Sequence, residues 1–379
     1  MQAVRYSSPV KIAFLIDGFG VGGTELNATR TLEAFARRGI TVDVLHFHAD
    51  GAMRERIAAA GHRMTHVPIV PLWSPRIVLR TAALASAIRR TGATVVHAQD
   101  VYSNILGVAA TRLVVRPAML TSRRWKDDVP RKVLTPLNAW AHRQSTLVLP
   151  NSPALVSTLE DEGVRADHIC VHENFVDDQA LTMLGTADRA AWRQALGIRA
   201  DALVVGCVAR LGRVKRHDVL LDAFVVLRQA CPTAQLVLVG DGAERAALEQ
   251  RARALDVAGD VIFTGTLPNL PLAQQLFDVA VLTSENEGFP NSLVEASACG
   301  VPMVATMVGG VPEVLREDVT GFGVAVGDVT ATANAMTRLL TDRAQREKFG
   351  SAARAEVLAR FSETAAIDRL LGIYKRVGA

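Results

Sequence analysis

The sequence is poor in aromatic residues, in cysteine and in long apolar runs, and each shortage removes a class of function. Phe, Trp and Tyr make up only 5% of the 379 residues, little with which to build the stacking platforms that hold single-stranded nucleic acid. No nucleic-acid partner is expected. Four cysteines stand at 170, 207, 231 and 299, each in apolar sequence and none near enough to another to form a metal-type pair. They read as buried, reduced thiols of a cytoplasmic protein. The long uncharged stretch 296–312 is broken by Gly300, Pro302, Gly309 and Gly310, so it reads as core sequence and not as a membrane span. The apolar run 10–16 stops at Asp17 without a basic region before it, which argues against export.

What is present suits a globular enzyme-sized chain. Hydrophobic residues make up 49% and charged residues 21%, and the length calls for two domains. The net charge of +4 is uneven. Residues 1–180 carry 21 Lys/Arg against 16 Asp/Glu, and the rest 21 against 22. A basic first half suits phosphorylated ligands or an anionic membrane face, and equally a merely solvated basic surface.

Apolar strands and amphipathic helices alternate along the chain. Strands are expected at 11–17, 42–47, 94–99, 117–123 and 146–151. Helices are expected at 24–38, 75–90, 101–113, 131–143 and 153–162. After 174–178 the pattern breaks, 185–189 reads as a linker, and strands resume at 202–211, 234–240, 261–265, 279–284, 302–306 and 323–326. Such alternation builds parallel sheets covered on both faces. The expectation is α/β, with two doubly wound Rossmann-like domains over 1–182 and 186–361. Two such sheets facing across a cleft would place ligands there, beyond the carboxyl ends of the strands.

One stretch carries most of the chemistry, Glu287-Gly-Phe-Pro-Asn-Ser-Leu-Val-Glu295. It follows a buried strand, and Pro290 suits the first turn of a helix. The amides of Phe289, Asn291 and Ser292 would then face outward at the positive end of that helix, where phosphate is favoured. A carboxylate on either side, Glu287 and Glu295, fits a diphosphate flanked by hydroxyls. By spacing alone, two surface carboxylates near a helix start are the better explanation of the pattern. Residues 210–215, Arg-Leu-Gly-Arg-Val-Lys, follow another strand, and Arg210 and Lys215 can converge on a phosphate. Each charged hydrogen bond is worth roughly 1.5–3 kcal/mol, against ~0.3–1 kcal/mol from a helix terminus. Arg213 and Arg216 read as ordinary basic turn residues. Residues 18–25, Gly-Phe-Gly-Val-Gly-Gly-Thr-Glu, open the first helix with a glycine turn. A dinucleotide site would need an acid ending the second strand, and that strand ends in His46-Phe47-His48.

Residues 284–302, with Gly309-Gly-Val-Pro-Glu313 beyond them, resemble the signature of the GT4 family of retaining glycosyltransferases, which have the GT-B fold. The resemblance extends to the Arg-Leu-x-x-x-Lys element at 210–215. It implies that Glu287 contacts donor-sugar hydroxyls, that Glu295 holds the nucleotide ribose, and that Arg210 and Lys215 clamp the diphosphate. Gly288, Phe289, Pro290, Asn291 and Ser292 would complete the donor site, and Gly22 and Gly23 would approach the donor phosphate. A His-x-His element of the family matches His97-Ala-Gln99 only in its first histidine, so His97 is expected either near the transferred sugar or as a structural strand cap. Some polysaccharide-forming members carry Ser-Arg-Arg where Ser122-Arg123-Arg124 stands, with Trp125, Lys126, Arg131 and Lys132 beyond. This implies that Arg123 or Arg124 meets an acceptor phosphate. Residues 173–177 resemble the family's junction before the linker. The last helix, within 362–379, is expected to return onto the first domain.

The helix over 76–90 is basic and apolar by turns. It reads as an ordinary surface helix or, less commonly, as a site of peripheral membrane contact.

The sequence is therefore expected to encode a cytoplasmic, retaining hexosyl- or N-acetylhexosaminyltransferase. It would move sugar from a UDP- or GDP-sugar to a glycan or lipid-linked acceptor of cell-surface polysaccharide synthesis. No Asp-x-Asp motif lies at a strand end, so no metal or other cofactor is expected. A sugar-nucleotide epimerase and a non-catalytic nucleotide-sugar-binding partner are the alternatives.

Overall fold

The computed structural model describes residues 10–20, 22–114, 117–124, 134–176, 182–267 and 270–378. The chain divides into two compact units, Met1–Asn174 with Thr364–Ala379, and Phe175–Glu363.

The first unit is built on β1 (Ile12–Ile16), β2 (Asp43–His46), β3 (Arg63–His66), β4 (Val95–Ala98), β5 (Ala118–Arg123) and β6 (Leu147–Pro150). They form one parallel sheet in the order β3-β2-β1-β4-β5-β6. Helices α1 (Gly23–Arg37), α2 (Arg54–Ala59), α3 (Ile77–Thr91), α4 (Val101–Thr111) and α5 (Leu134–Gln144) connect them, and α6 (Val156–Asp161) follows the last strand. All five residues of β1 are buried, as a central strand covered on both faces requires. The strand β3 had no apolar run to reveal it, because three of its four residues are exposed at the sheet edge. Residues 125–133, with Trp125, Lys126, Arg131 and Lys132, lie outside the described residues.

The second unit opens with α7 (Thr186–Ala195), which corrects the linker expected at 185–189. Its sheet holds β7 (Val204–Val208), β8 (Gln235–Val239), β9 (Val261–Gly265), β10 (Val279–Leu282), β11 (Met303–Thr306) and β12 (Gly321–Val324), all parallel, in the order β12-β11-β10-β7-β8-β9. Between and after them run α8 (His217–Ala230), α9 (Arg245–Ala254), α10 (Leu270–Gln274), α11 (Asn291–Ala298), α12 (Val329–Thr341) and α13 (Arg343–Arg360). Leu220, Phe224, Met336 and Leu339 fill one side of this sheet, and Leu293, Ala298, Ala353 and Val357 part of the other. The final helix, α14 (Glu363–Gly378), belongs to the first unit, where Tyr374 is fully buried.

Each sheet changes winding direction once, at β1/β4 and at β7/β10. In open parallel sheets ligands bind beyond the carboxyl ends of strands at such points. Of the four cysteines, Cys207, Cys231 and Cys299 are buried, whereas Cys170 is partly exposed, a correction to the expectation of four buried thiols.

Candidate active site

In the second unit the switch point brings together the loop after β7, which carries Arg210 and Lys215, and the loop after β10, which carries Glu287. The two loops are joined directly. The Glu285 amide donates to the Val214 carbonyl at 2.9 Å, and the Thr283 hydroxyl donates to the carbonyls of Lys215 (3.1 Å) and Arg216 (2.9 Å). Arg216 holds a left-handed backbone, φ 48°, uncommon for a non-glycine residue. It turns the chain sharply from Lys215 into α8.

Lys215 Nζ lies 2.5 Å from Glu287 Oε1, and Ser284 Oγ donates to the same oxygen at 2.6 Å. Among the described residues both contacts fall on Oε1, which leaves Oε2 for another donor. The carboxylate is 7% exposed, so the pair is sheltered and its geometry fixed by packing. Arg210 is exposed and makes no ion pair among the described residues. The site thus offers one anchored cation, one available guanidinium and a carboxylate with a spare oxygen.

Two further loops brace the edge. The Asp241 carbonyl accepts the Leu211 amide at 3.0 Å. Gly309, at φ +51°, runs so close behind Glu287 that a Cβ there would sit 1.7 Å from the Glu287 carbonyl oxygen. Only glycine fits. Beneath the loop, burial and the Lys215 charge push His217 down to about 4, and burial pushes the Cys207 thiol up to about 12. A groove of about 350 Å³ beside the loop is lined in part by Arg213, Arg216, Glu244 and Glu285. Arg213 pairs there with Glu244 at 3.5 Å and Arg216 with Glu285 at 3.6 Å.

The start of α11 differs from expectation. Pro290 is its N-cap and precedes the first turn, and the Asn291 amide, expected to face outward, donates to the Phe289 carbonyl at 3.0 Å. The Phe289 ring packs on Phe361, centroids 5.5 Å apart, so only its backbone can serve a ligand. Gly288 and Ser292 are half-buried, and Glu295 is buried on the second turn.

In the first unit the switch point gathers the glycine turn, His97–Asp100 and Arg123–Arg124. Asp17, at the end of β1, accepts the amides of Tyr102 and Ser103 at 2.9 and 2.7 Å, and Asp100 caps the same helix. Burial and the Asp17 charge push the Asp100 carboxyl up to about 7. His97 takes the structural one of its two expected roles and not the one near the transferred sugar. It is 1% exposed, with Nδ1 bonded to the Tyr374 hydroxyl (2.6 Å) and Nε2 to the Ser122 hydroxyl (3.0 Å). Burial holds it well below its usual pKa. It is a neutral core histidine that ties α14 to β4 and β5, and neither nitrogen is left for a sugar.

Arg123 and Arg124, expected on the acceptor side, are also drawn inward. Arg123 pairs with Glu162 at 2.9 Å. Arg124 donates to Asn174 and Gln99, each at 2.9 Å, and burial lowers its guanidinium to about 10. Gly22 caps α1 and Gly23 begins it. The Glu25 carboxylate folds over this turn, 2.5 Å from where a Gly22 Cβ would lie.

Sequence reasoning gave no role to Ser284 and Gly309, although both stand in the quoted signature, and it missed Thr283 and Tyr374. Thr283 directly precedes the signature. Tyr374 lies 277 residues from His97, and no local signal joins them.

Comparison with known proteins bears on this geometry. The family model "Glycosyltransferase Family 4" matches residues 21–180, and "Glycosyl transferases group 1" matches 188–356. The D-inositol 3-phosphate glycosyltransferase of Saccharomonospora viridis is 28% identical over 94% of this chain and 90% of its own. The 2-deoxystreptamine N-acetyl-D-glucosaminyltransferase of Streptomyces fradiae is 27% identical over 94% and 91%. Among solved structures, Anabaena HepE in complex with UDP-glucose is 25% identical, with a TM-score of 0.84 over 97% of this chain and 99% of that one. The chain belongs to the GT4-type glycosyltransferases and has the GT-B class of fold.

Proposed function

We propose that this glycosyltransferase takes its sugar from a UDP- or GDP-sugar and transfers it with retention of configuration, without a metal ion. The observation that carries the reading is the Lys215–Glu287–Ser284 constellation beside an available Arg210 at the β7/β10 switch point. Arg210 and Lys215 hold the donor diphosphate. As the glycosidic bond breaks, negative charge grows on the departing phosphate, and a cation already fixed in a sheltered site stabilises that charge most. Lys215, held by Glu287, is so placed, and the exposed Arg210 closes on the phosphate when the donor binds; together they do the work a metal would do. Glu287 receives a sugar hydroxyl on its spare oxygen and orients the ring, while Glu295 serves the ribose. HepE, the structural relative, was solved with UDP, with UDP and glucose, and with UDP-glucose, which supports a nucleotide-sugar donor here.

The acceptor is a hydroxyl of a glycan or lipid-linked intermediate of cell-surface polysaccharide synthesis, met on the cytoplasmic side. The transferred unit is a hexose or N-acetylhexosamine. The departing phosphate takes the acceptor proton on the face it leaves, which accounts for retention without a covalent side-chain intermediate.

Glu287→Ala or Arg210→Ala should lower turnover at least ~100-fold, equivalent to about 2.7 kcal/mol of transition-state stabilisation. Near-normal turnover in both would remove the site assignment. Conversion of the donor to another sugar nucleotide, with no acceptor present, would instead mark an epimerase.

A further inference from the structure

The surface of the first unit carries a feature that sugar transfer leaves unused. Trp73 is 66% exposed, Val78 70% and Leu79 72%. They lie at the amino end of α3, where Ala82 and Ala83 are exposed as well. Helical spacing puts Val78, Leu79, Ala82 and Ala83 on one outward arc, and the exposed Arg89 and Arg90 extend that arc through the last turn. Arg76 and Arg80, also exposed, border it. The opposite arc, Leu84, Ala85, Ala87 and Ile88, is buried in the core. The helix is therefore anchored by one face and presents large apolar side chains on the other. Single exposed apolar residues are common, whereas a contiguous set rimmed by charge marks an interaction site.

Charge selects the partner. From Arg56 to Gln99, 44 residues, there is no aspartate or glutamate, while six arginines fall in the stretch. Arg76, Arg80, Arg89 and Arg90 make no ion pair among the described residues. Apolar residues at one end of an amphipathic face and uncompensated arginines along it suit the boundary between acyl chains and anionic headgroups. There the arginines reach phosphate while the apolar side chains leave water.

We infer that the face formed by Trp73, Val78, Leu79, Arg76 and Arg80 docks this protein on an anionic phospholipid bilayer. No helix among the described residues is long and apolar enough to cross a membrane, so the contact is peripheral. It stands independently of the donor assignment.

The test is co-sedimentation of the full chain with vesicles of phosphatidylcholine alone and with about one-third phosphatidylglycerol, since basic segments partition to anionic surfaces. The expected result is binding to the anionic vesicles only. Val78→Ser/Leu79→Ser should weaken it at least ~10-fold, because two exposed side chains lose their burial in lipid. Arg76→Glu/Arg80→Glu should weaken it by a similar ~10-fold, and 0.5 M salt should lower wild-type binding, as electrostatic contacts are screened. All four side chains are exposed, so melting temperature and donor-induced stabilisation serve as folding controls and should not change. Absence of vesicle binding, or equal binding by wild type and both variants, would overturn the inference. So would a wild-type dimer in light scattering that Val78→Ser/Leu79→Ser dissolves, since the face would then belong to a second copy of the chain.

Discussion

Gly309→Ala tests the architecture of the donor site through a single methyl group. Two costs add at this position. The backbone is left-handed, φ +51°, which costs an alanine roughly 1–2 kcal/mol. The new Cβ would also lie 1.7 Å from the Glu287 carbonyl oxygen, far inside contact distance, so the loop after β10 must move by about 1.5 Å to relieve it, an overpacking cost of ~1–3 kcal/mol. The sum, near 3 kcal/mol, lowers the melting temperature by roughly 6–12 °C in a unit of this size. Catalysis should suffer beyond stability, because Glu287 itself is displaced and a misplacement of about 1 Å can cost ~100-fold in rate. Gly327→Ala provides the control. Its φ is +77° but nothing lies within 4 Å of the added Cβ, so it incurs the backbone strain alone. Differential scanning calorimetry and donor-binding titration on both variants separate strain from displacement. If Gly309→Ala matched Gly327→Ala in melting temperature and bound donor like wild type, the bracing of Glu287 by this loop would be wrong.

Other outcomes follow from the first unit and from buried histidines. Tyr374→Phe should cost about 1–3 kcal/mol, because it strands a buried nitrogen of His97, while donor-induced stabilisation survives; lost donor binding at unchanged stability would contradict the core role of His97. Stability should also fall on acidification from pH 7 to pH 5. Burial holds His142 and His172 at about 3 and His217 at about 4, below the ordinary 6.5, so the unfolded chain binds more protons throughout that window. Each net proton is worth about 1.4 kcal/mol per pH unit. Burial lowers His97 and His46 as well. Asp100, its carboxyl raised to about 7, opposes the trend, as do Asp17 and Glu162, which burial also raises, but three carboxyls are set against five histidines. A melting temperature flat or rising from pH 7 to pH 5 would refute the balance.

Much of the fold was legible because parallel strands buried on both faces leave unbroken apolar runs, as in β1 and β7. The edge strand β3 left none, and α7 begins in a stretch of small polar residues that resembles a loop. At the site, Glu287, Arg210 and Lys215 were legible because their pattern is local and follows strands. What surrounds them was not. The contact of Gly309 with Glu287 depends on backbone proximity between two loops, and the fate of His97 depends on a helix at the far end of the chain. Arg123 and Arg124 look in sequence like a free basic pair. Their partners Glu162, Gln99 and Asn174 come from three other segments, and only the assembled sheet edge reveals them.

The most direct test of the central claim is thermal stabilisation of the protein by a panel of UDP-, GDP- and ADP-sugars in the presence of a chelator. A donor at 100 times its dissociation constant stabilises by about 2.7 kcal/mol. The account predicts a clear shift with one UDP- or GDP-sugar, abolished in Arg210→Ala. No shift with any donor, with or without added magnesium or manganese, would contradict it.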